Sequence, residues 1–233
     1  MKTISTKLNL QILFEDNHLL VINKRVGDII QWDNTNDIPL VEIGKAYLKE
    51  KYQKKGNVFL GVVHRLDRPT TGIVVFAKTS KALSRLNEMF KERNTKKTYL
   101  AIVNQIPPKT VDTLSHYLIR NTKNNTSKAH VKEVPNSKNS SLTYELFHSF
   151  DKYYALKINL HTGRHHQIRA QLSAIGCSIK GDLKYGAVRS NPDGGIHLHA
   201  WKLDFIHPVT KEILNITAPL PNDVLWEKLS KIL

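Results

Sequence analysis

At 233 residues, 40% of them apolar, the chain is long enough to bury a real core as one large domain or two small ones. Thirty-five lysines and arginines against 20 acidic residues leave a formal charge of +15, which points to a polyanionic partner. No apolar run approaches the roughly 20 residues needed to span a bilayer, no secretory leader is visible, and the single Cys177 cannot form an internal disulfide, so a nucleic acid in the cytoplasm fits better than a membrane or an oxidising compartment.

In chain order, strand-like runs fall at 10–14, 19–23, 58–63, 73–77, 98–103, 114–119, 142–147, 154–160 and 196–206. Between them, Leu40, Ile43, Tyr47 and Leu48 predict a helix, with Pro39 near its start and Gly56 just past its end. A second helix is predicted where Leu83, Leu86 and Phe90 share a face and Ser80 can act as cap. The runs 142–149 and 153–160, joined by Phe150-Asp151-Lys152, predict an antiparallel hairpin. The stretch from Asn121 to Ser141 is rich in Asn, Ser, Thr and Lys, with Ala129-His130-Val131 as a short strand. It reads equally as a mobile surface insertion or as a basic arm for RNA phosphate. Many strands with few helices favour an α+β fold.

Two segments carry chemistry. In His64-Arg65-Leu66-Asp67-Arg68-Pro69-Thr70-Thr71-Gly72 a carboxylate lies between two guanidinium groups, an arrangement in which a carboxylate can stay ionised, and so nucleophilic or basic, even in a dry pocket. Flanking strand-like runs make this a tight connection at a sheet end, which serves equally well as a structural ion pair anchoring the loop. In Thr162-Gly163-Arg164-His165-His166-Gln167-Ile168-Arg169 a Thr-Gly turn leads into helical spacing. Ile168, Leu172 and Ile175 share a face there, and Gly176 is a stop.

Both segments resemble the signature motifs of the RluA-type RNA pseudouridine synthases, His-Arg-Leu-Asp…Thr-x-Gly and Thr-Gly-Arg-x-His-Gln-Ile-Arg. The similarity continues through Gly181-Asp182-Leu183-Lys184-Tyr185-Gly186, Leu198-His199-Ala200-Trp201 and, near the start, Phe14-Glu15-Asp16 with Leu19-Leu20-Val21-Ile22-Asn23-Lys24. Long motifs in one register across nearly the whole chain are specific in a way that one short pattern is not. One departure is Arg25, where the family usually has proline after Asn-Lys. That change loosens a loop by less than about 1 kcal/mol.

The resemblance implies residues 1–233 as a single catalytic domain of the pseudouridine synthase fold, a mixed, mostly antiparallel sheet with flanking helices and loops around a central RNA-binding cleft. Its first strand begins near residue 10, which leaves no room for the small RNA-binding domain that relatives often carry. It implies Asp67 as the catalytic carboxylate, by attack on the anomeric carbon, addition to the uracil ring or removal of a ribose proton. Tyr99 would stack on the target base, and Arg169 would pair with Asp67. Expected substrate-binding residues are His64 (an orienting or packed imidazole), Arg65, Arg68, Arg164 and Ile168. Arg65 fills the space of a flipped-out base or grips its neighbours, and Ile168 closes the base pocket. The expected protein is a cytoplasmic monomer that acts on structured tRNA or rRNA with no cofactor and no metal. The eleven histidines show no ligand spacing. The rival class is a non-catalytic RNA-binding or ribosome-assembly protein on the same fold. A metal-dependent nuclease lacks its carboxylate cluster.

Overall fold

The computed structural model describes residues 4–233, which fold as two compact units. One comprises the chain through Thr95 together with Ala200–Pro219, and the other comprises Lys96–His199 with Leu220–Leu233. Among the described residues no helix is long and apolar enough to cross a membrane.

The first unit is built on β1 (Ile12–Glu15), β2 (Leu19–Lys24), β3 (Gly61–Val62), β4 (Thr71–Ala77) and helices α1 (Leu40–Lys51) and α2 (Ser80–Lys91). Strands β1, β2 and β4 are neighbours in that order, with antiparallel register Leu19↔Ala77 through Lys24↔Gly72. Every residue of β2 and β4 is buried because a helix covers each face, which is why both read as unbroken apolar runs. Leu20, Ile22, Val74 and Phe76 pack with Leu40, Ile43 and Leu48 of α1. Leu19, Val21, Ile73 and Val75 pack with Ala82 and Leu86 of α2.

Three expectations need correction here. The run 58–63 is a strand only at Gly61–Val62, and Phe59 is exposed, because loop packing of Leu60 satisfies the apolar pattern without a ladder. Thr79, not Ser80, caps α2: its hydroxyl accepts from the Ala82 N–H at 3.2 Å. Helix α1 ends at Lys51 with Tyr52 as cap, well short of Gly56. Its last turn is fastened to β1 by Glu15, whose carboxylate accepts from Lys51 (2.7 Å), Tyr52 (2.8 Å), Tyr47 (2.9 Å) and Lys78 (3.1 Å). Burial by itself would push Glu15 up, but these four donors outweigh it and hold the group at about 2.

The second unit has β5 (Lys96–Val103), β6 (Val111–Asn121), β7 (Thr126–His130), β8 (Lys138–Ser149) and β9 (Tyr154–Leu160), in spatial order β5-β9-β8-β6-β7, each neighbouring pair antiparallel. The predicted β8–β9 hairpin is present, with a bulge between Leu146 and His148. Alternating burial of Leu114, His116 and Leu118 marks β6 as half-buried. The polar stretch 121–141 is not a loose insertion: it holds the β6–β7 turn, β7 and the start of β8. Helix α3 (Gln167–Ala174) follows, then a 3₁₀ turn (Leu183–Tyr185) and a short α4 (Val224–Ser230).

Strand β10 (Leu198–Ile206) begins two residues later than predicted, and from Ala200 onward it belongs to the first unit. There it neighbours β4 and pairs antiparallel with β11 (Ile213–Thr217). Neither β11 nor α4 was anticipated.

Candidate functional site

Asp67 lies on the connection between β3 and β4, in a turn closed by the Thr70 N–H donating to the Asp67 carbonyl at 3.0 Å. The turn is fixed from beneath by Lys24, the last residue of β2, which is only 1% exposed. Its ammonium donates to the carbonyls of Thr70 (2.7 Å), Arg68 (2.9 Å) and Arg25 (3.0 Å). A buried ammonium must have its N–H groups satisfied, so three carbonyls are drawn to one point. The Gly27 N–H adds a bond to the Arg68 carbonyl at 3.0 Å. The strand run that predicted β2 gave no hint that its last residue organises the loop 46 residues on.

His64 enters this loop as a structural group. Where β3 diverges from β4, its Nε2 accepts from the Val75 N–H at 3.1 Å, and its ring stacks on Phe90 of α2 at 4.9 Å. The imidazole thereby takes over one rung of the ladder that β3 leaves open. Arg65 is exposed. Arg68 is ion-paired with Asp37. At the end of the motif, Gly72 has φ +112° and its backbone lies directly against that of Ala200.

In the second unit Tyr99 is in the middle of β5, opposite Ile158 of β9 and 8% exposed. The segment leading into α3 is an interlocked set of polar bonds. Gln167 is buried, and its carbonyl oxygen accepts from the Thr162 hydroxyl (2.7 Å) and the Arg164 N–H (3.0 Å). Its amide donates to the Ser141 carbonyl at 3.0 Å. His166 takes a left-handed conformation (φ 51°) immediately before the helix, so the chain turns sharply into it. Ile168 is buried and Arg164 exposed, with Arg164 Nε donating to the Asn139 carbonyl at 3.3 Å.

Arg169 is 4% exposed and forms a two-bond pair with Asp182, Nε to Oδ2 at 2.6 Å and Nη2 to Oδ1 at 2.8 Å. The resemblance implied Asp67 as its partner; the carboxylate that these two bonds join to it is Asp182, itself 1% exposed. A guanidinium held flat in this way has its direction fixed, which a single bond cannot do. The guanidinium also lies over the Tyr185 ring, 4.9 Å from its centre. The Tyr185 hydroxyl accepts from the Ser127 N–H (2.6 Å) and meets His166 Nδ1 (2.9 Å), and the Ser127 hydroxyl donates to the His165 carbonyl at 2.7 Å. The Gly181–Gly186 motif, read as a turn, is thus the brace that orients Arg169. Asp182 and Tyr185 could have been singled out only by their place in that motif.

Residues 18–174 match the family model described as RNA pseudouridylate synthase. The chain is 34% identical over 226 residues to the ribosomal large subunit pseudouridine synthase D of Nitrosomonas europaea, covering 92% of this chain but 63% of that protein, less than two thirds of its length. It is 31% identical to the ribosomal large subunit pseudouridine synthase C of Buchnera aphidicola subsp. Baizongia pistaciae, over 93% of this chain and 69% of the other. Among solved structures, human RNA pseudouridylate synthase domain containing 4 superposes with a TM-score of 0.77 at 24% identity, covering 93% of this chain and 90% of its own, a likeness of fold. Human RNA pseudouridylate synthase domain containing 1 gives 0.75 at 26% identity, over 94% of this chain and 86% of that one.

Proposed function

Because this chain belongs to the RNA pseudouridylate synthase family, we propose that it converts a specific uridine of structured RNA to pseudouridine, with ribosomal RNA ahead of tRNA as substrate. The reaction breaks the bond between ribose and a uracil nitrogen, turns the base, and rejoins it through carbon 5. Nothing is oxidised or reduced and no cofactor is consumed.

Asp67 supplies the carboxylate that starts the reaction. Tyr99 packs on the base, Ile168 closes the pocket, and Arg169 pairs with Asp67. Arg65, Arg68 and Arg164 meet RNA, and His64 serves the loop that presents them. A uridine stacked in a helix is out of reach of one carboxylate, so the target is a loop or flipped-out nucleotide. Residues 1–233 act as one catalytic domain in the cytoplasm, as a monomer. The observation that carries this reading is the fixed Asp67 turn: the buried Lys24 ammonium ties the Arg68 and Thr70 carbonyls of that loop to the Arg25 carbonyl beside it, so the segment is braced before RNA arrives. The names of the relatives, both ribosomal large subunit enzymes, favour rRNA.

Carbodiimide mapping of pseudouridine in RNA from cells with and without the gene tests the assignment. One rRNA site should vanish on deletion, return with the wild-type chain, and stay absent with Asp67→Asn. A full set of sites in the deletion strain, or restoration by Asp67→Asn, overturns it, and the non-catalytic RNA-binding reading then takes its place.

A further inference from the structure

Of the three tryptophans, Trp201 and Trp226 are buried, whereas Trp32 is 57% exposed. An indole left in water forgoes a large apolar burial. The loop that carries it is nevertheless tightly built. Ile29 and Ile30 are buried at one end and Leu40 and Val41 at the other. The Leu40 N–H donates to the Ile29 carbonyl at 2.7 Å and the Val41 N–H to the Ile30 carbonyl at 3.3 Å. Every residue from 31 to 38 is exposed, so this is a surface Ω-loop with a closed neck. Within it, Asp33 accepts from the Thr35 N–H at 2.9 Å, and Asp37 is ion-paired with Arg68, the residue after Asp67. The Gly27 N–H, just before the neck, bonds the Arg68 carbonyl. The loop is therefore tied on both sides to the segment that carries Asp67, and five residues of chain keep the Trp32 Cα within about 18 Å of that of Asp37.

The chemistry of the loop selects what it can bind. Residues 31–38 contain no lysine or arginine, and their two acids are engaged within the fold. The loop thus brings no cation of its own to phosphate. A nucleobase is the part of RNA that an indole recognises without charge, since every base presents a π-face. We propose that Trp32 is a base-stacking residue, which receives an unpaired nucleotide flanking the target uridine and so contributes to the choice of site. The proposal rests on the RNA-modifying reading above.

Trp32 supplies its own probe, because emission accessible to iodide comes from the exposed indole. The full chain is titrated with a short oligouridylate and with a duplex of the same length, following iodide quenching and affinity. Oligouridylate, not duplex, should shield Trp32. Trp32→Ala should weaken oligouridylate binding roughly tenfold and Trp32→Phe far less, with both variants melting like wild type. Unchanged affinity in Trp32→Ala, or an indole equally open to iodide at saturating RNA, overturns the proposal. So does shielding by a ribosomal protein fraction but not by RNA, which assigns the loop to a protein partner. Carbodiimide mapping separates the two readings. A chain that makes no pseudouridine yet is shielded by RNA defeats the proposed function alone, and an active chain whose Trp32 stays open defeats the stacking site alone.

Discussion

Gly72 and Ala200 meet backbone to backbone: a Cβ on residue 72 would stand 2.3 Å from the Ala200 carbonyl oxygen and 2.6 Å from its nitrogen. Neither group can yield, since both belong to the main chain of neighbouring strands, and φ +112° is itself closed to other residues. Gly72→Ala should cost on the order of 3 kcal/mol, combining strained backbone with overpacking. Urea denaturation measures it, and a change below about 1 kcal/mol would mean that the strands part easily.

Lys24→Met keeps the length of the side chain but leaves three carbonyls without their shared donor. The expected loss is about 3 kcal/mol of stability, together with a drop in turnover of more than about a hundredfold from misplacement of the Asp67 turn. Single-turnover rates at a temperature where the variant is fully folded separate the two effects. Full activity in a folded Lys24→Met chain would show that the turn holds its shape unaided.

Asp182→Asn removes the charge that Arg169 meets through two bonds, a change that costs about 3–5 kcal/mol when such buried pairs are broken from one side. Replacing both partners, as Arg169→Met with Asp182→Leu, should be less destabilising than Asp182→Asn alone. Denaturation midpoints of the three chains decide it. A double variant worse than the single one would place the value of Arg169 in other contacts.

Glu15 gives the acid limb of the stability profile. Its folded value of about 2 lies below the ordinary 4.5, so the unfolded chain takes up this proton first as pH falls. The contribution is complete above the ordinary value and is lost between there and about 2. It amounts to at most about 3 kcal/mol and less after solvent screening. Glu15→Gln should therefore be less stable than wild type at pH 7 and nearly equal to it at pH 2. Urea midpoints at the two pH values check this, and a difference that persists unchanged at low pH refutes it.

The parts of the fold legible in the sequence are those whose burial is local. Strands β2 and β4 are covered on both faces and spelled as apolar runs, and β9 was read to the residue. Strand β11 escaped because three of its five residues are exposed and only Ile216 is buried, and α4 escaped because seven residues carry too little periodicity. The opposite error at 58–63 came from apolar residues that pack as a loop. In the candidate site, Asp67, Tyr99 and Arg169 were singled out through the motifs that carry them. Their supports were not, since Lys24 reaches Thr70 and Tyr185 reaches Ser127 across 46 and 58 residues. Spacing rules describe neighbours on one element, and these contacts join elements far apart in the chain.

The seat of Gly72 on Ala200 also fixes an order of events during synthesis. Strand β4 can pack on β2 and its helices early, but the backbone it must touch is made only after Lys96–His199, the larger part of the second unit, has been translated. Closing so long a loop is a late and entropically demanding step. The end of the Asp67 segment thus acquires this neighbour only once residue 200 has been made, and a chain that stalls earlier carries the motif without that brace.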